Sequence, residues 1–397
     1  MNLRDNLSPK KSRIMPEGLR IDPDRRYAFK SPLKTRIVRI ADAFGGRLFP
    51  PSTQPIEWRS LKKIAVLRLD HIGDVMMALP AVKALGQALP EAKIDFIVGP
   101  WAKDLVETAG LRATPRIFSA KWFTREGAKG GGVKKLKGLL REGQYDAVLE
   151  LRGVERHILA IYGAGIKYRV GLARTGLGFL LTHRLVYRPG LHEIERNLDL
   201  LKQAGIDFGS PPEFPRLYPR EENDQTQIEA RRKLGIARPV IAIHAVCSAP
   251  AKRWPVTNWQ RLIESLPKEM DVALIGSEGE KSGIEEIQQG CGRKVYSTVG
   301  LLNLPALAAF LKECRLFIGL DSGPAHIAAA VGTPVVSVYS GINSADRWGP
   351  RGRQVTILQR KPACSPCELV ACPFDNSCMR QIAVEEVLTR VQDSLKG

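Results

Sequence analysis

Two hydrophobic patterns alternate along most of the chain. Short apolar runs end at glycine or proline turns and are followed by stretches whose apolar residues recur at helical spacing. The predicted strands cover residues 64–69, 94–98, 145–151, 240–244, 271–275, 316–319 and 334–339, and the predicted helices cover residues 75–88, 102–108, 225–234, 256–266, 305–312 and 324–331. This alternation predicts parallel sheets covered by helices on both faces, which is an α/β fold.

The chain length of 397 residues predicts more than one domain, and a proline-rich break in the periodicity near residues 206–222 marks a linker. We predict a basic extension over residues 1–60, a first Rossmann-like domain over 61–210, a linker over 211–224, a second Rossmann-like domain over 225–360, and a Cys-rich segment with a C-terminal helix over 361–397. Ligands bind beyond the carboxyl ends of such strands, so the loops after residues 69, 244, 275, 319 and 339 are expected to face the chemistry.

Basic residues exceed acidic residues by 19, since 60 Lys and Arg stand against 41 Asp and Glu. This excess indicates an anionic partner, which can be a nucleic acid, an anionic membrane or an anionic substrate. No apolar stretch approaches the ~20 residues that span a bilayer, and the N-terminus has no apolar core of a secretory signal. We therefore expect a cytoplasmic protein.

Much of the positive charge lies in residues 1–60, which contain 13 basic and 6 acidic side chains. Within this segment, apolar residues recur at helical spacing and basic residues lie between them: Ile37, Ile40, Ala41, Phe44 and Leu48, with Lys34, Arg36, Arg39 and Arg47. The pattern fits a helix that lies on an anionic membrane surface, and it equally fits a helix that docks on the body of the protein.

The first group of candidate functional residues follows the strand at 64–69. Gly73 comes directly before Asp74 at a strand-to-helix turn, where a glycine lets the backbone approach a ligand and the acid lies in the first turn of the helix. Capping of the helix by Asp74 is the alternative interpretation.

Two further groups lie in the second half of the chain. Asp321, Ser322 and Gly323 end a strand and start a helix, where free N–H groups suit a diphosphate. His326, in the first turn, either faces that ligand or is structural. Lys252 and Arg253 follow another strand and can neutralise a phosphate, although exposed surface charge is the alternative.

In this order, the three groups resemble glycosyltransferase family 9, the family of the ADP-heptose:lipopolysaccharide heptosyltransferases. The resemblance spans about residues 62–390 and depends on residues 68–75 (RLDHIGDV), 79–80 (LP), 252–255 (KRWP), 321–330 (DSGPAHIAAA) and 331–334 (VGTP). Asp70 and His71 stand where small or apolar residues are expected.

The resemblance implies a GT-B fold, in which two Rossmann-like domains face each other across a cleft, with the acceptor on the first and the sugar nucleotide on the second. It implies an inverting, metal-independent enzyme that moves a sugar, heptose from ADP-heptose, onto a lipopolysaccharide core or related anionic glycolipid at the cytoplasmic face of the inner membrane. Asp74 is then the general base. The implied donor-binding residues are Gly73, Lys252, Arg253, Asp321, Ser322, Gly323 and His326, with Glu278 on the nucleotide ribose.

One further observation favours catalysis without a metal ion. The only Asp-x-Asp sequence is Asp22-Pro-Asp24, which lies in the extension and away from any predicted strand end. Lys252, Arg253 and the helix start at Gly323 can stabilise the departing diphosphate instead of a divalent ion. No cofactor is therefore expected for catalysis.

Four cysteines fall within a 15-residue stretch, namely Cys364, Cys367, Cys372 and Cys378. In a reducing compartment such a cluster predicts a structural zinc or iron site, with free thiols as the alternative.

Other function classes fit less well. A dinucleotide-dependent oxidoreductase needs a Gly-x-Gly-x-x-Gly turn, and Gly73 alone does not provide it. No aromatic and basic stripe indicates nucleic-acid binding, so we expect no nucleic-acid partner. A carbohydrate-binding relative without transfer activity and a transferase that uses another nucleotide sugar remain alternatives.

Overall fold

The structure is a computed structural model, and it describes residues 32–122, 130–247 and 249–396. Most of the basic extension, including Asp22 and Asp24, lies outside the described residues. Among the described residues, no helix combines the length and the apolar character needed to cross a membrane.

The first half of the chain forms a six-stranded parallel sheet. Its strands are β1 (Lys63–Arg68), β2 (Lys93–Val98), β3 (Thr114–Ile117), β4 (Ala147–Glu150), β5 (Tyr168–Gly171) and β6 (His183–Arg184), and their spatial order is β3-β2-β1-β4-β5-β6. The helices of this half are α1 (Pro32–Leu48), α2 (Ile72–Ala88), α3 (Lys103–Glu107), α4 (Val133–Glu142), α5 (Glu155–Gly163) and α6 (Glu193–Gln203).

The second half forms another six-stranded parallel sheet. Its strands are β7 (Val240–His244), β8 (Asp271–Leu274), β9 (Val295–Ser297), β10 (Leu316–Leu320), β11 (Val335–Tyr339) and β12 (Val355–Gln359), in the order β12-β11-β10-β7-β8-β9. Its helices are α7 (Glu221–Leu234), α8 (Val256–Ser265), α9 (Lys281–Gln289), α10 (Leu304–Lys312), α11 (Gly323–Val331), α12 (Ala345–Trp348), α13 (Ser377–Arg380) and α14 (Val384–Lys396).

Both sheets follow the same doubly wound plan. In each, the chain first adds strands on one side of its starting strand and then crosses to the other side, so the order reverses between β1 and β4 and again between β7 and β10. A crevice opens beyond the carboxyl ends of the strands at each reversal, and ligands of such folds bind there. The predicted fold of two Rossmann-like halves is confirmed.

The central strands were predictable because they are buried on both faces and therefore mostly apolar. The hydrophobic pattern does not reveal β3, β5, β6, β9 and β12. Four of these are the outermost strands of the two sheets, where one edge is open and a continuous apolar run is not required. Helix α7 begins at Glu221, ahead of the predicted start, and so includes the end of the predicted linker.

The two halves are packed against each other. Helices α2 and α11 are in contact, and one apolar core continues from the first sheet to the second. The backbone N–H of Leu217 donates to the carbonyl of Ala330 at 3.1 Å, and His192 Nε2 lies 2.8 Å from the carbonyl oxygen of Gly349. The crevices of the two sheets consequently open onto a shared cleft.

Candidate active site

The strand β1 ends in a buried arginine that contacts three carboxylates. Arg68 Nη2 donates to Asp74 Oδ1 at 3.0 Å and to Glu193 Oε1 at 3.2 Å, and its Nε lies 2.7 Å from Asp70 Oδ2. Burial of an ion is costly unless opposite charges and hydrogen bonds compensate for lost water, which these carboxylates do. The network fixes the position of Asp74.

Asp74 is the third residue of α2, and His71 occupies the N-cap position. The alternative in which Asp74 caps the helix is therefore wrong, because the helix starts earlier and the Asp74 side chain binds Arg68. Only Oδ1 is engaged. Within the described part of the chain, Asp74 Oδ2 makes no hydrogen bond or ion pair. This oxygen is available to accept a proton or a hydrogen bond.

Across the cleft, the corresponding turn of the second sheet carries an ion pair. Lys252 Nζ lies 2.6 Å from Asp321 Oδ2, and Asn343 Nδ2 donates to the same oxygen at 2.9 Å. Asp321 follows β10, Lys252 follows β7 and Asn343 follows β11, so three neighbouring strands place these groups at one sheet edge. The predicted association of Lys252 with the Asp321 turn agrees with this arrangement.

The start of α11 has features of an anion site. Ser322 occupies its N-cap position without making a capping hydrogen bond. Its Oγ is buried and, among the residues that the structure describes, has no hydrogen-bond partner. Buried hydroxyls are nearly always hydrogen-bonded, and the first N–H groups of a helix attract anions. A phosphate bound at Ser322 and Gly323 would accept hydrogen bonds from the Ser322 hydroxyl and from the first N–H groups of α11.

The first turns of α2 and α11 touch each other. A Cβ atom added to Gly73 would lie 3.2 Å from His326 Cδ2, and one added to Gly323 would lie 3.2 Å from Ile72 Cγ2. Glycine at both positions allows this approach. The turns that carry Asp74 and Asp321 therefore lie next to each other, one in each half of the chain.

His326 is buried at this contact between the two helices. Burial lowers its pKa to about 4, and the positive charge of Lys252 acts in the same direction, against the opposing effect of Asp321. The ring is consequently neutral at physiological pH. It can act there as a hydrogen-bonding group and not as a cation.

The other predicted donor-binding residues are more exposed. Arg253 points its charge into an exposed environment beside the buried Trp254, and Glu278 is exposed in the turn after β8. The neighbouring Glu280 is the constrained acid of that turn. Burial alone would raise its pKa, but the nearby His244 ring, 3.6 Å away, and hydrogen bonds donated by Ser277 lower it to about 2. The role of Glu278 at the ribose stays a prediction.

A cavity of about 140 Å³ adjoins Asp74. Arginine is the dominant residue type in its lining, which comprises Arg68, Asp74, Leu151, Arg152, Leu172, Arg174, Tyr187, Glu193, Arg196, Arg347, Trp348 and Glu368. The guanidinium groups outnumber the carboxylates even when Asp70, which pairs with Arg68 and Arg152, is included. The cavity is therefore positively charged.

The pKa values of its residues reflect this crowding of positive charge. Burial, together with the charges of Arg68 and Arg174, lowers the pKa of Arg152 to about 10. Burial would raise the pKa of Glu193, but the guanidinium groups of Arg68, Arg196 and Arg347 hold it below its usual value. An anion entering the cavity would relieve the repulsion among the arginines.

The structure does not support the metal site predicted at Cys364, Cys367, Cys372 and Cys378. In the described ranges, no group of three or more His, Cys, Asp or Glu side chains is arranged to hold a metal ion. Backbone contacts and packing explain the surroundings of two of these thiols. Cys378 Sγ accepts a hydrogen bond from the Gly341 N–H at 3.2 Å, and Cys367 is buried in a small apolar cluster.

Sequence reasoning missed most of the arginine-lined cavity. Arg68 gave a usable signal, because an arginine at the end of a buried apolar strand needs a partner. Arg152, Arg174 and Arg347 gave none, since each lies in a loop or short helix of ordinary composition. Asn343 likewise becomes notable only through its contact with Asp321.

Comparison with known proteins identifies related sequences and folds. The family model "Glycosyltransferase family 9 (heptosyltransferase)" matches residues 133–377, more than half of the chain. Lipopolysaccharide heptosyltransferase 3 of Escherichia coli K12 is 27% identical over 300 residues, which cover 70% of this chain and 82% of that protein.

Two solved structures illustrate the likeness in fold. A family 9 glycosyl transferase from Veillonella parvula superposes with a TM-score of 0.72 at 19% identity, covering 86% of this chain and 99% of that one. The E. coli ADP-heptose lps heptosyltransferase II gives a TM-score of 0.66 at 22% identity, with coverage of 84% and 98%. Both confirm the predicted two-domain α/β architecture.

The contact between the two helix starts predicts opposite effects for two Gly→Ala variants. Gly73→Ala should lower the free energy of unfolding by about 1 kcal/mol, because the added methyl group presses on the buried His326 ring. Gly138→Ala is the matched control in helix α4, where nothing lies within 4 Å, and it should raise stability by about 0.5–1 kcal/mol. Urea denaturation followed by circular dichroism measures both. Equal stabilisation by both substitutions would contradict the contact.

The buried neutral state of His326 predicts a pH dependence of stability. Between pH 6.5 and about 4 the unfolded chain binds a proton at this histidine and the folded protein does not, so stability falls as the pH falls through this window. His326→Asn removes this contribution. The difference in free energy of unfolding between wild type and variant should therefore shrink from pH 7 to pH 4. The decrease is at most about 1.4 kcal/mol for each unit by which the His326 pKa is lowered. If the unfolding free energies of wild type and His326→Asn instead changed in parallel with pH, His326 would not be buried in its neutral form.

Proposed function

Because the chain belongs to glycosyltransferase family 9, the heptosyltransferase family, we propose that it transfers heptose from ADP-heptose to an anionic glycan of the lipopolysaccharide core. Family membership makes it a glycosyltransferase. The donor and acceptor are inferred from the heptosyltransferases that it resembles, one of which uses ADP-heptose by name. The observation that carries the proposal is the position of Asp74, which lines an arginine-rich cavity and lies in a helix start that touches the helix start after Asp321.

Asp74 acts as the general base in this proposal. An acceptor hydroxyl in the cavity attacks the anomeric carbon of the donor sugar, and its proton passes to Asp74 Oδ2 as the new glycosidic bond forms. The bond between the anomeric carbon and the diphosphate oxygen breaks, and the nucleotide diphosphate leaves with the electron pair. Arg68 keeps the carboxylate in place through Oδ1. Attack and departure on opposite faces of the sugar give inversion.

The second half of the chain stabilises the leaving diphosphate. Ser322 and the first N–H groups of α11 bind phosphate oxygens, and Lys252 lies next to them through its ion pair with Asp321. Preorganised N–H dipoles and cations oppose the charge that develops on the leaving group. These protein groups provide the stabilisation that a divalent ion supplies in other enzymes, so the reaction is proposed to be metal-independent.

The arginine-lined cavity binds the acceptor. The charge of Arg174 helps to lower the pKa of Arg152, and the guanidinium groups that line the cavity outnumber its carboxylates. Planar guanidinium groups bind carboxylates and phosphates through paired hydrogen bonds. An acidic or phosphorylated core sugar fits this chemistry better than a neutral sugar does. Such an acceptor is lipid-anchored, so the enzyme is proposed to work at the cytoplasmic face of the inner membrane.

Asp74→Asn separates transfer from binding. The variant should lose transfer by about 10²- to 10⁴-fold, because the amide cannot take the acceptor proton, while ADP binding measured by calorimetry is retained. Asp104→Asn is the matched control, since Asp104 is an exposed aspartate in the first turn of another helix. Transfer from ADP-heptose to core oligosaccharide is measured with and without EDTA.

Four outcomes would contradict the proposal. Full activity of Asp74→Asn would exclude it as the base, and loss of activity in EDTA would exclude the metal-independent mechanism. Thermal stabilisation by a UDP-sugar, with none by ADP or an ADP-sugar, would reject the donor. A wild-type protein that binds ADP-heptose and transfers nothing would instead be a carbohydrate-binding relative.

Arg174→Gln tests the acceptor cavity. The variant should raise the KM for a phosphorylated or acidic acceptor about tenfold, because one charge-assisted interaction is lost, and it should leave the KM for the donor unchanged. Arg59→Gln, at an exposed position outside the cavity, is the control. An equal rise in both KM values would show that Arg174 supports the site as a whole and does not select the acceptor.

A further inference from the structure

Helix α1 has an outward apolar face that the rest of the described chain does not cover. Leu33, Ile37, Ile40, Phe44 and Leu48 are between 51% and 75% exposed. Their spacing of three and four residues places them in one stripe along the helix, about 22 Å long at 1.5 Å per residue. Large apolar patches at a protein surface normally mark an interaction site.

The opposite face of α1 docks on the first domain. Asp42 Oδ1 accepts a hydrogen bond from the Leu177 N–H at 2.7 Å, Val38 lies against Gly176, and Gly45 lies against the Phe179 ring. The sequence suggested that this helix either docks on the protein or lies on a membrane, and each interpretation applies to a different face of α1. One face attaches the helix to the protein, and the apolar stripe is left on the outside.

Positive charge flanks the stripe. Arg36, Arg39 and Arg47 are exposed and follow one side of the helix between the two faces. Helix α5, which packs on the same short turn at Gly178–Leu180 as α1, carries two more exposed apolar side chains, Leu159 and Tyr162. An apolar face bordered by arginines complements an anionic lipid surface, in which apolar residues enter the acyl boundary and arginines contact headgroups.

The position of α1 relates this surface to the active site. The loop that receives α1 at Gly176 and Leu177 also carries Arg174, which lines the acceptor cavity. We propose that α1 is a membrane-docking helix that lies in the plane of an anionic bilayer and holds the acceptor cavity next to lipid-anchored glycans. The identity of the acceptor in this inference rests on the proposed function. The binding of α1 to lipid does not depend on it.

Vesicle flotation with the full chain tests the docking helix. The wild-type protein should float with vesicles of phosphatidylglycerol and phosphatidylethanolamine and bind phosphatidylcholine vesicles much more weakly. The double variant Ile40→Glu/Phe44→Glu should weaken binding on the order of a hundredfold, because two apolar side chains no longer enter the membrane. Arg36→Gln/Arg39→Gln should weaken it about tenfold and reduce its dependence on salt.

Ile228→Glu is the matched control, since Ile228 is an exposed apolar residue on helix α7. It should bind vesicles as the wild type does. Phe44→Trp gives a second readout that retains an apolar side chain. Brominated lipids should quench its fluorescence beyond the level of the wild type, whose own tryptophans remain present. Equal binding by wild type and Ile40→Glu/Phe44→Glu, or no added quenching in Phe44→Trp, would overturn the proposal.

Failure of this inference and failure of the proposed function give different results. Ile40→Glu/Phe44→Glu should transfer sugar normally to a water-soluble oligosaccharide and poorly to the same glycan embedded in vesicles. A wild-type enzyme that is active on the soluble acceptor but does not bind anionic vesicles overturns the docking helix alone. Vesicle binding without any transfer overturns the proposed function alone. The wild type could instead be a dimer that does not bind vesicles and that Ile40→Glu/Phe44→Glu converts to a monomer. This result would assign the apolar face to a second copy of the chain, and it would also overturn the proposal.

Discussion

The buried guanidinium group of Arg68 is the interaction on which the site depends. It binds Asp74 from α2 and Glu193 from α6, and Glu193 Oε2 in turn lies 3.7 Å from Nε of Arg347 in the second half of the chain. A buried charge network of this kind is retained only when its members remain paired, because any carboxylate left without its cation pays the full cost of lost hydration. The orientation of the proposed base, the charge of the cavity and the contact between the two halves are therefore coupled. Glu193 connects them, since it pairs with Arg68 in the first half and lies near Arg347 in the second.

The second constraint is the meeting of two helix starts. Each sheet reverses its strand order at one point, and a doubly wound fold opens its ligand crevice there. Gly73 and Gly323 let the two crevices approach without a side chain between them. An acid at one turn then lies next to a helix start at the other, which suits the proposed displacement at a sugar carbon. The two sheets share this plan without a recognisable sequence repeat, because strand order depends on apolar periodicity and turn residues and not on residue identity.

The sequence predicted the central strands, the turns at Asp74 and Asp321, and the family, since each depends on local patterns that can be read along the chain. The edge strands were not predictable, because an edge position does not require a continuous apolar run. The arginine cavity was not predictable either. Arg152, Arg174 and Arg347 are far apart in the chain, and an arginine in a loop looks like ordinary surface charge until the fold brings it to a cavity. The cysteine cluster is the opposite case, in which close spacing in sequence predicted a metal site and the described residues contain no group of side chains arranged to hold one.

Two basic regions of the described chain, the cavity lining and helix α1, lie in different environments. Arg68 and Arg196 at the cavity are buried, so their attraction for an anion acts at a lower dielectric than that of exposed groups. Those on α1 are exposed, and salt screens their attraction for a membrane beyond a Debye length of about 8–10 Å. A cavity of about 140 Å³ has room for a charged group of one sugar, whereas the stripe on α1 is long and flat. Composition alone could not separate a membrane from an anionic substrate as the partner, because the chain has basic surfaces suited to each. The loop at residues 172–178 joins them, and an acceptor that is both anionic and membrane-bound would engage both.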